Sequence, residues 1–286
     1  MKIAFLGTGL MGLPMSQRLL AANHQLIAYN RTAEKLAPLQ AAGATITTQP
    51  EAAINAADCV FLMLTNAAAI TSVLLSDTAR QHLAGKTVIQ MGTITPTESK
   101  AICEQVIAAG SEYLEAPVLG SIPEAKTGTL IVMVGASPEQ FQQHLDLLKI
   151  FSPDPLYIGE VGKASGLKLA LNQLISSLTT GFAMSLGFVH SHGINVDLFM
   201  EILRKSALYA PTFDKKLQRM LNDNYANPNF PTKHLLKDTD LFITAAQESG
   251  LNISSIAGIR EILEIAVAKG LADADYSALF SAIKSD

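Results

Sequence analysis

The chain has 286 residues, 49% of them hydrophobic, which is enough to bury one large core or two ordinary ones. Its formal net charge of −4 and charged fraction of 16%, with no run of like charges, exclude the footprint of a nucleic-acid or membrane-surface binder. Small molecules are the expected partners, and the two distant cysteines, Cys59 and Cys103, read as packing residues in a reducing, cytoplasmic protein rather than a disulfide or metal pair.

In chain order, Lys2 to Leu6 is too short an apolar run for a secretory segment and reads as a strand. Gln25 to Tyr29, Asp58 to Leu64 and Thr87 to Gln90 repeat the pattern, separated by alanine-rich amphipathic stretches, which is the βαβ rhythm of a parallel sheet. Glu112 to Glu115 and Leu130 to Val134 are further strands around a loop rich in Gly, Pro and Ser, and another lies near Leu156 to Ile158. After Gly162 the period changes to 3.6, predicting helices over 164–192, 195–206, 209–222, 233–249 and 252–269 with no strand between them. The expected domains are therefore 1–161, an α/β unit, and 162–286, an all-α unit. Leu167 to Val189 is long and mostly apolar, yet it carries Lys168, Asn172, Gln173 and several hydroxyls, so it reads as a helix buried in protein rather than in a membrane.

Gly7-Thr8-Gly9-Leu10-Met11-Gly12 directly follows the first strand and opens a helical stretch, the context in which GxGxxG marks a doubly wound Rossmann sheet. Gly7 permits the tight turn, Gly9 lets a pyrophosphate approach the backbone, and Gly12 allows close helix packing. The phosphates of a dinucleotide are expected on the helix N-terminus. The second strand ends in Tyr29-Asn30-Arg31-Thr32, without the carboxylate that would receive the ribose hydroxyls of NAD. Arg31 can pair with a 2′-phosphate and Asn30 and Thr32 can add hydrogen bonds, so NADPH is favoured over NADH.

Between Ala164 and Val196, with histidines counted neutral, Lys168 is the only formal charge, an arrangement that is costly unless it is used. Asn172, four residues on, shares its helix face and can orient the amine or a bound carbonyl. His190 and His192, two apart, point to different faces and mark a helix end rather than a metal pair, and no metal is assigned. Neither a GxSxG elbow nor an HExxH helix is present, which removes the commonest hydrolase readings.

Taken together, GTGLMG, the segment Glu115-Ala-Pro-Val-Leu-Gly-Ser121, the stretch from Gly162 through Lys168 to Asn172, and Phe230 through Lys237-Asp238 resemble the β-hydroxyacid dehydrogenase family along essentially the whole chain. That family includes 3-hydroxyisobutyrate dehydrogenases, tartronate semialdehyde reductases and glyoxylate or succinic semialdehyde reductases. The resemblance implies that Lys168 is the catalytic lysine, that Asn172 supports it, and that Val118, Leu119, Gly120 and Ser121 hold the substrate carboxylate. It further implies that Thr93 and Lys237 contact the cofactor, with Phe230 and Asp238 near the pocket; Leu64 and Thr65 complete the expected cofactor contacts. On sequence alone, Lys237-Asp238 reads as a solvated helix pair.

The family segment commonly reads DAPVSGG, and this chain departs from it at Glu115, Leu119 and Ser121. LEAPVLGS is similar to the glyoxylate and succinic semialdehyde reductases, although Leu119 lacks the hydroxyl usual there. The expected activity is NADPH-dependent reduction of a small aldehyde or keto acid, with Lys168 as proton donor, by a homodimer or homotetramer. Alternatives are a 3-hydroxyisobutyrate or tartronate semialdehyde type of dehydrogenase, an imine reductase, whose members usually lack this lysine, and a non-catalytic cofactor-binding sensor or scaffold.

Overall fold

The structure, a computed structural model, describes residues 1–284. Two compact units divide the chain, Met1–Lys168 and the residues from Leu169 on.

The first unit is built on nine strands: β1 (Lys2–Leu6), β2 (Gln25–Tyr29), β3 (Thr45–Thr47), β4 (Cys59–Leu62), β5 (Thr87–Gln90), β6 (Glu112–Glu115), β7 (Val118–Leu119), β8 (Ile131–Gly135) and β9 (Leu156–Gly159). Eight helices connect them: α1 (Gly12–Ala21), α2 (Ala37–Ala41), α3 (Pro50–Asn55), α4 (Ala67–Leu74), α5 (Asp77–Arg80), α6 (Pro96–Ala108), α7 (Ile122–Thr127) and α8 (Pro138–Leu148). The sheet order is β3-β2-β1-β4-β5-β6-β8-β7, with β9 beside β8. Pairing is parallel from β3 through β6, antiparallel where β8 meets β6 and β7, and parallel again at β9.

Strand β1 shows why its run is continuously apolar. Ile3 and Phe5 enter a core with Met15 and Leu19 of α1, while Ala4 and Leu6 enter the opposite core with Ile54 of α3 and Ile70 of α4. A parallel sheet covered by helices on both faces removes the polar alternation that a half-exposed strand would keep. The α/β pattern read from the sequence is therefore present, but β3 and β7 escaped it. Both are very short, and β3 is partly exposed, so neither offers a run long enough to show a period.

Helix α9 (Lys163–Ser191) begins in the first unit and continues into the second. The second unit adds α10 (Val196–Lys205), α11 (Pro211–Leu221), α12 (Thr232–Glu248), α13 (Ser254–Ala266) and α14 (Phe280–Ile283). Their core gathers Phe182, Met200, Phe213, Leu217, Leu235, Leu263 and Phe280, with the Phe182 and Phe213 rings stacked at 4.7 Å. The helix expected over 252–269 is shorter, because α13 ends at Ala266 and a wider turn, Val267–Leu271, contains Gly270 at φ +82°. Buried Asp275 is held by Lys216 at 2.8 Å, and the same ammonium lies 4.1 Å from the centre of the Tyr276 ring. No helix among the described residues is long and apolar enough to cross a membrane.

Phe61, wholly buried on β4, stacks on Phe5 at 5.9 Å and meets Phe151 edge-on at 5.5 Å. Phe61→Ala should cost about 3–5 kcal/mol. At roughly 2–4 °C per kcal/mol, thermal unfolding should shift down by about 10 °C, whereas an unchanged midpoint would show that this aromatic stack does not hold the unit together.

Candidate active site

Six strands run parallel in the order β3-β2-β1-β4-β5-β6, so the sheet grows one way from β1 and the other way from β4. Ligands of such sheets bind beyond the carboxyl ends of the strands at this reversal. Gly7 stands there with φ +104°, its N–H donating to the Tyr29 carbonyl at 3.1 Å. A Cβ at Gly7 would lie 2.4 Å from the Met63 carbonyl oxygen, and one at Gly12 would lie 1.9 Å from that of Gly7. Gly9 differs, because a Cβ there would meet nothing within 4 Å, leaving its backbone open to approach. Leu10 is exposed beside it, and Met11 occupies the cap position of α1 without any side-chain cap bond. Helices α4, α6, α8 and α10 are instead capped by Asn66, Thr95, Ser137 and Asn195. The open backbone at Gly9 and the uncapped start of α1 fit a dinucleotide pyrophosphate.

Asn30 braces the glycine turn. Its Nδ2 donates to Thr8 Oγ1 at 2.9 Å and its Oδ1 accepts from the Thr32 N–H at 2.9 Å, so both ends of the side chain brace the glycine turn against the loop after β2. Arg31 is exposed beyond this brace. Leu64 and Thr65 follow β4, and Thr93 follows β5.

Sequence reasoning missed what shapes that last loop. Gln90 is wholly buried, accepts the Gly92 N–H and donates to the Gly92 carbonyl at 2.9 Å, while a Cβ at Gly92 would lie 2.6 Å from the Leu64 carbonyl oxygen. The available signal was an amide closing an otherwise apolar strand.

In the segment after β6, Val118 is buried and pairs with Val132, and Leu119 pairs with Ile131. Gly120 has φ +132°, and Ser121 caps the short α7. Both the N–H and the hydroxyl of Ser121, a residue that the resemblance places at the substrate carboxylate, donate to the Glu124 carboxylate at 2.8 Å in a capping box. Glu115 is wholly buried, its two oxygens accepting from Gly162, Ala164, Ser165 and Ser99.

Lys168 on α9 is only 7% exposed, and Asn172 lies one turn further along the same helix, also buried. Asn172 Nδ2 donates to Asp238 Oδ2 of α12 at 2.7 Å, and Lys237 Nζ lies 2.8 Å from Asp238 Oδ1. The solvated pair suggested by Lys237-Asp238 is thus corrected: Asp238 is 4% exposed and joins two helices. Asn172 Oδ1, buried too, has no hydrogen-bond partner among the described residues. Phe230 packs edge-on against Tyr276 at 5.8 Å, near the start of α12. His234, one turn before Lys237, is pushed below the usual imidazole value by burial and by the Lys237 charge, so it stays neutral at neutral pH. His190 and His192 are exposed where α9 ends, His192 stacking on Phe188.

Residues 2–159 match the family described as the NAD binding domain of 6-phosphogluconate dehydrogenase, and residues 162–283 match a second family, described as NAD-binding of NADP-dependent 3-hydroxyisobutyrate dehydrogenase. The chain is 30% identical to glyoxylate/succinic semialdehyde reductase 1 of Arabidopsis thaliana over 286 residues, covering 99% of each protein. It is 29% identical to 2-hydroxy-3-oxopropionate reductase of Escherichia coli, over 99% of this chain and 97% of that one. The 3-hydroxyisobutyrate dehydrogenase structure of Mycobacterium tuberculosis superposes with a TM-score of 0.87 at 22% identity, over 99% of both chains. With the glycine turn at the sheet's reversal point and similarity along both units, the chain belongs to the β-hydroxyacid dehydrogenase family of NAD(P)-dependent dehydrogenases and reductases.

Proposed function

We propose that this protein is an NADPH-dependent reductase of small aldehydes or keto acids, of the glyoxylate and succinic semialdehyde type, with Lys168 as its proton donor. The observation that carries the reading is the buried Lys168, the only formal charge between Ala164 and Val196 with histidines counted neutral, one turn from an asparagine whose amide is fixed by Asp238. When bound, the nicotinamide supplies the hydride that adds to the carbonyl carbon. Lys168 Nζ gives a proton to the oxygen as it becomes an alkoxide and regains one from solvent. In the reverse direction the same amine takes the hydroxyl proton of a hydroxyacid. Asn172 Oδ1, a buried acceptor otherwise left without a donor at a cost of about 1–3 kcal/mol, receives the Lys168 ammonium or a substrate hydroxyl.

Cofactor choice rests on Arg31. With Asn30 engaged by Thr8 and Thr32, the exposed guanidinium is the group at the end of β2 suited to a 2′-phosphate, and Thr32 adds a hydroxyl. Gly7, Thr8, Gly9, Leu10, Met11 and Gly12 would hold the pyrophosphate, with Leu64, Thr65, Thr93 and Lys237 as further cofactor contacts. Substrate would meet Val118, Leu119, Gly120, Ser121, Phe230 and Asp238. Leu119 has no hydroxyl and the Ser121 donors are engaged by Glu124, which favours longer or less polar aldehydes over compact acids such as glyoxylate.

Exposed apolar side chains on α9 and α10, including Met184, Phe188, Leu198 and Ile202, support a homodimer or homotetramer. The free Cys59 and Cys103 suit a cytoplasmic protein.

NADPH should be preferred over NADH by at least about tenfold in kcat/KM, since losing a charge-assisted contact costs roughly 1.5–3 kcal/mol. The measurement is loss of reduced-cofactor absorbance with glyoxylate, succinic semialdehyde, tartronate semialdehyde and methylmalonate semialdehyde. Equal efficiency with both cofactors would contradict the Arg31 assignment, and Arg31→Asp should reverse the preference.

Lys168→Ala should lower kcat by about a hundredfold or more, the scale of general acid–base catalysis, with cofactor affinity little changed. A folded variant with near-normal kcat would show that another group delivers the proton.

A further inference from the structure

We propose that Glu115 is a positioning residue that sets the place of Lys168 through the start of α9; the inference rests on the reading of Lys168 given above. The Glu115 carboxyl group is wholly buried at the start of α9. Oε1 accepts three backbone N–H groups, from Gly162 at 2.8 Å, Ala164 at 2.9 Å and Ser165 at 3.0 Å. Oε2 accepts the hydroxyls of Ser165 and of Ser99, and Ser99 Oγ lies 2.9 Å from the Tyr113 hydroxyl. These are the N–H groups that a helix start leaves without partners inside the helix. A carboxylate there also opposes the positive end of the helix dipole.

Room for this side chain is provided across the sheet. Glu115 of β6 pairs with Gly135 of β8, and a Cβ at Gly135 would fall 2.4 Å from Glu115 Oε1 and 2.7 Å from its Cγ. Glu115 is also rigid at its base, because the backbone of β6 is paired to β5 along its length. The chain of connection is therefore short: β6 fixes the carboxylate, the carboxylate fixes Ser165, and Lys168 is three residues, less than one turn, further along the same helix. Small errors in such a placement are costly, since a displacement of about 1 Å at a reacting group can lower rates by roughly a hundredfold.

The test is Glu115→Gln in the full chain, compared with Lys168→Ala. The amide keeps the size and one acceptor oxygen but replaces the other with a donor facing two hydroxyls. We expect kcat to fall by about tenfold or more, while substrate KM and NADPH affinity stay within about twofold. The solvent deuterium isotope effect on kcat should rise, because delivery of the proton from Lys168 becomes slower relative to the other steps. Ser165→Ala, which removes one hydroxyl donor and leaves the backbone bonds, should move both quantities in the same direction by about threefold, and it serves if Glu115→Gln does not fold. Normal kcat in either folded variant, or a loss that merely follows the folded fraction with an unchanged isotope effect, would overturn the proposal. If Lys168→Ala itself keeps near-normal kcat, the reading of the lysine fails first; if that variant is inactive and the Glu115 and Ser165 variants are normal, only the positioning role is lost.

Discussion

A carboxyl group without access to water must be met by donors, and in this protein the main donors that meet Glu115 are the buried N–H groups at the start of a long helix. That single requirement joins the sheet to the first turn of α9. It makes the position of the helix start a property of β6 and of the glycine that faces it on β8, rather than of a flexible connection. Gln90 does a smaller version of the same work one strand away, its amide closed on Gly92 so that the backbone before Thr93 can press against Leu64. Buried polar side chains at the ends of two adjacent strands thus set the loops and the helix on which the chemistry is proposed to depend.

Much of the fold was legible because its signals are local. The run Lys2 to Leu6, the glycines at 7, 9 and 12, and the change after Gly162 from short apolar runs to sustained 3.6-residue periods each follow from what neighbouring residues require of one another. Lys168 was legible for a related reason: a single charge in the long uncharged stretch from Ala164 to Val196 is visible without any knowledge of its surroundings. What could not be read depends on residues far apart in the chain. Glu115 and Gly162 are separated by 47 positions and Asn172 and Asp238 by 66, so their hydrogen bonds leave no periodic trace. The burial of Asp238 is the clearest case, since Lys-Asp within a polar helix has the same appearance whether it faces water or another helix.

The substrate segment shows a different limit. Ser121 and Glu124 form a capping box whose spacing is visible in the sequence, yet the resemblance to known substrate loops drew attention to the serine as a donor to a ligand. A hydroxyl and an N–H held by an internal carboxylate make a poorer receptor for an external one. Together with Leu119, this is the basis of the proposed preference for longer or less polar aldehydes over the most compact acids.

That chemistry has a direct readout. With NADPH deuterated at the transferable position of its nicotinamide ring, and an accepted aldehyde in ordinary water, mass spectrometry of the alcohol product follows the fate of the hydride. The account predicts one deuterium per product molecule, bound to the former carbonyl carbon, with the hydroxyl proton drawn from solvent. Oxidation of NADPH that leaves the product unlabelled would contradict hydride transfer to the carbonyl and with it the role proposed for Lys168.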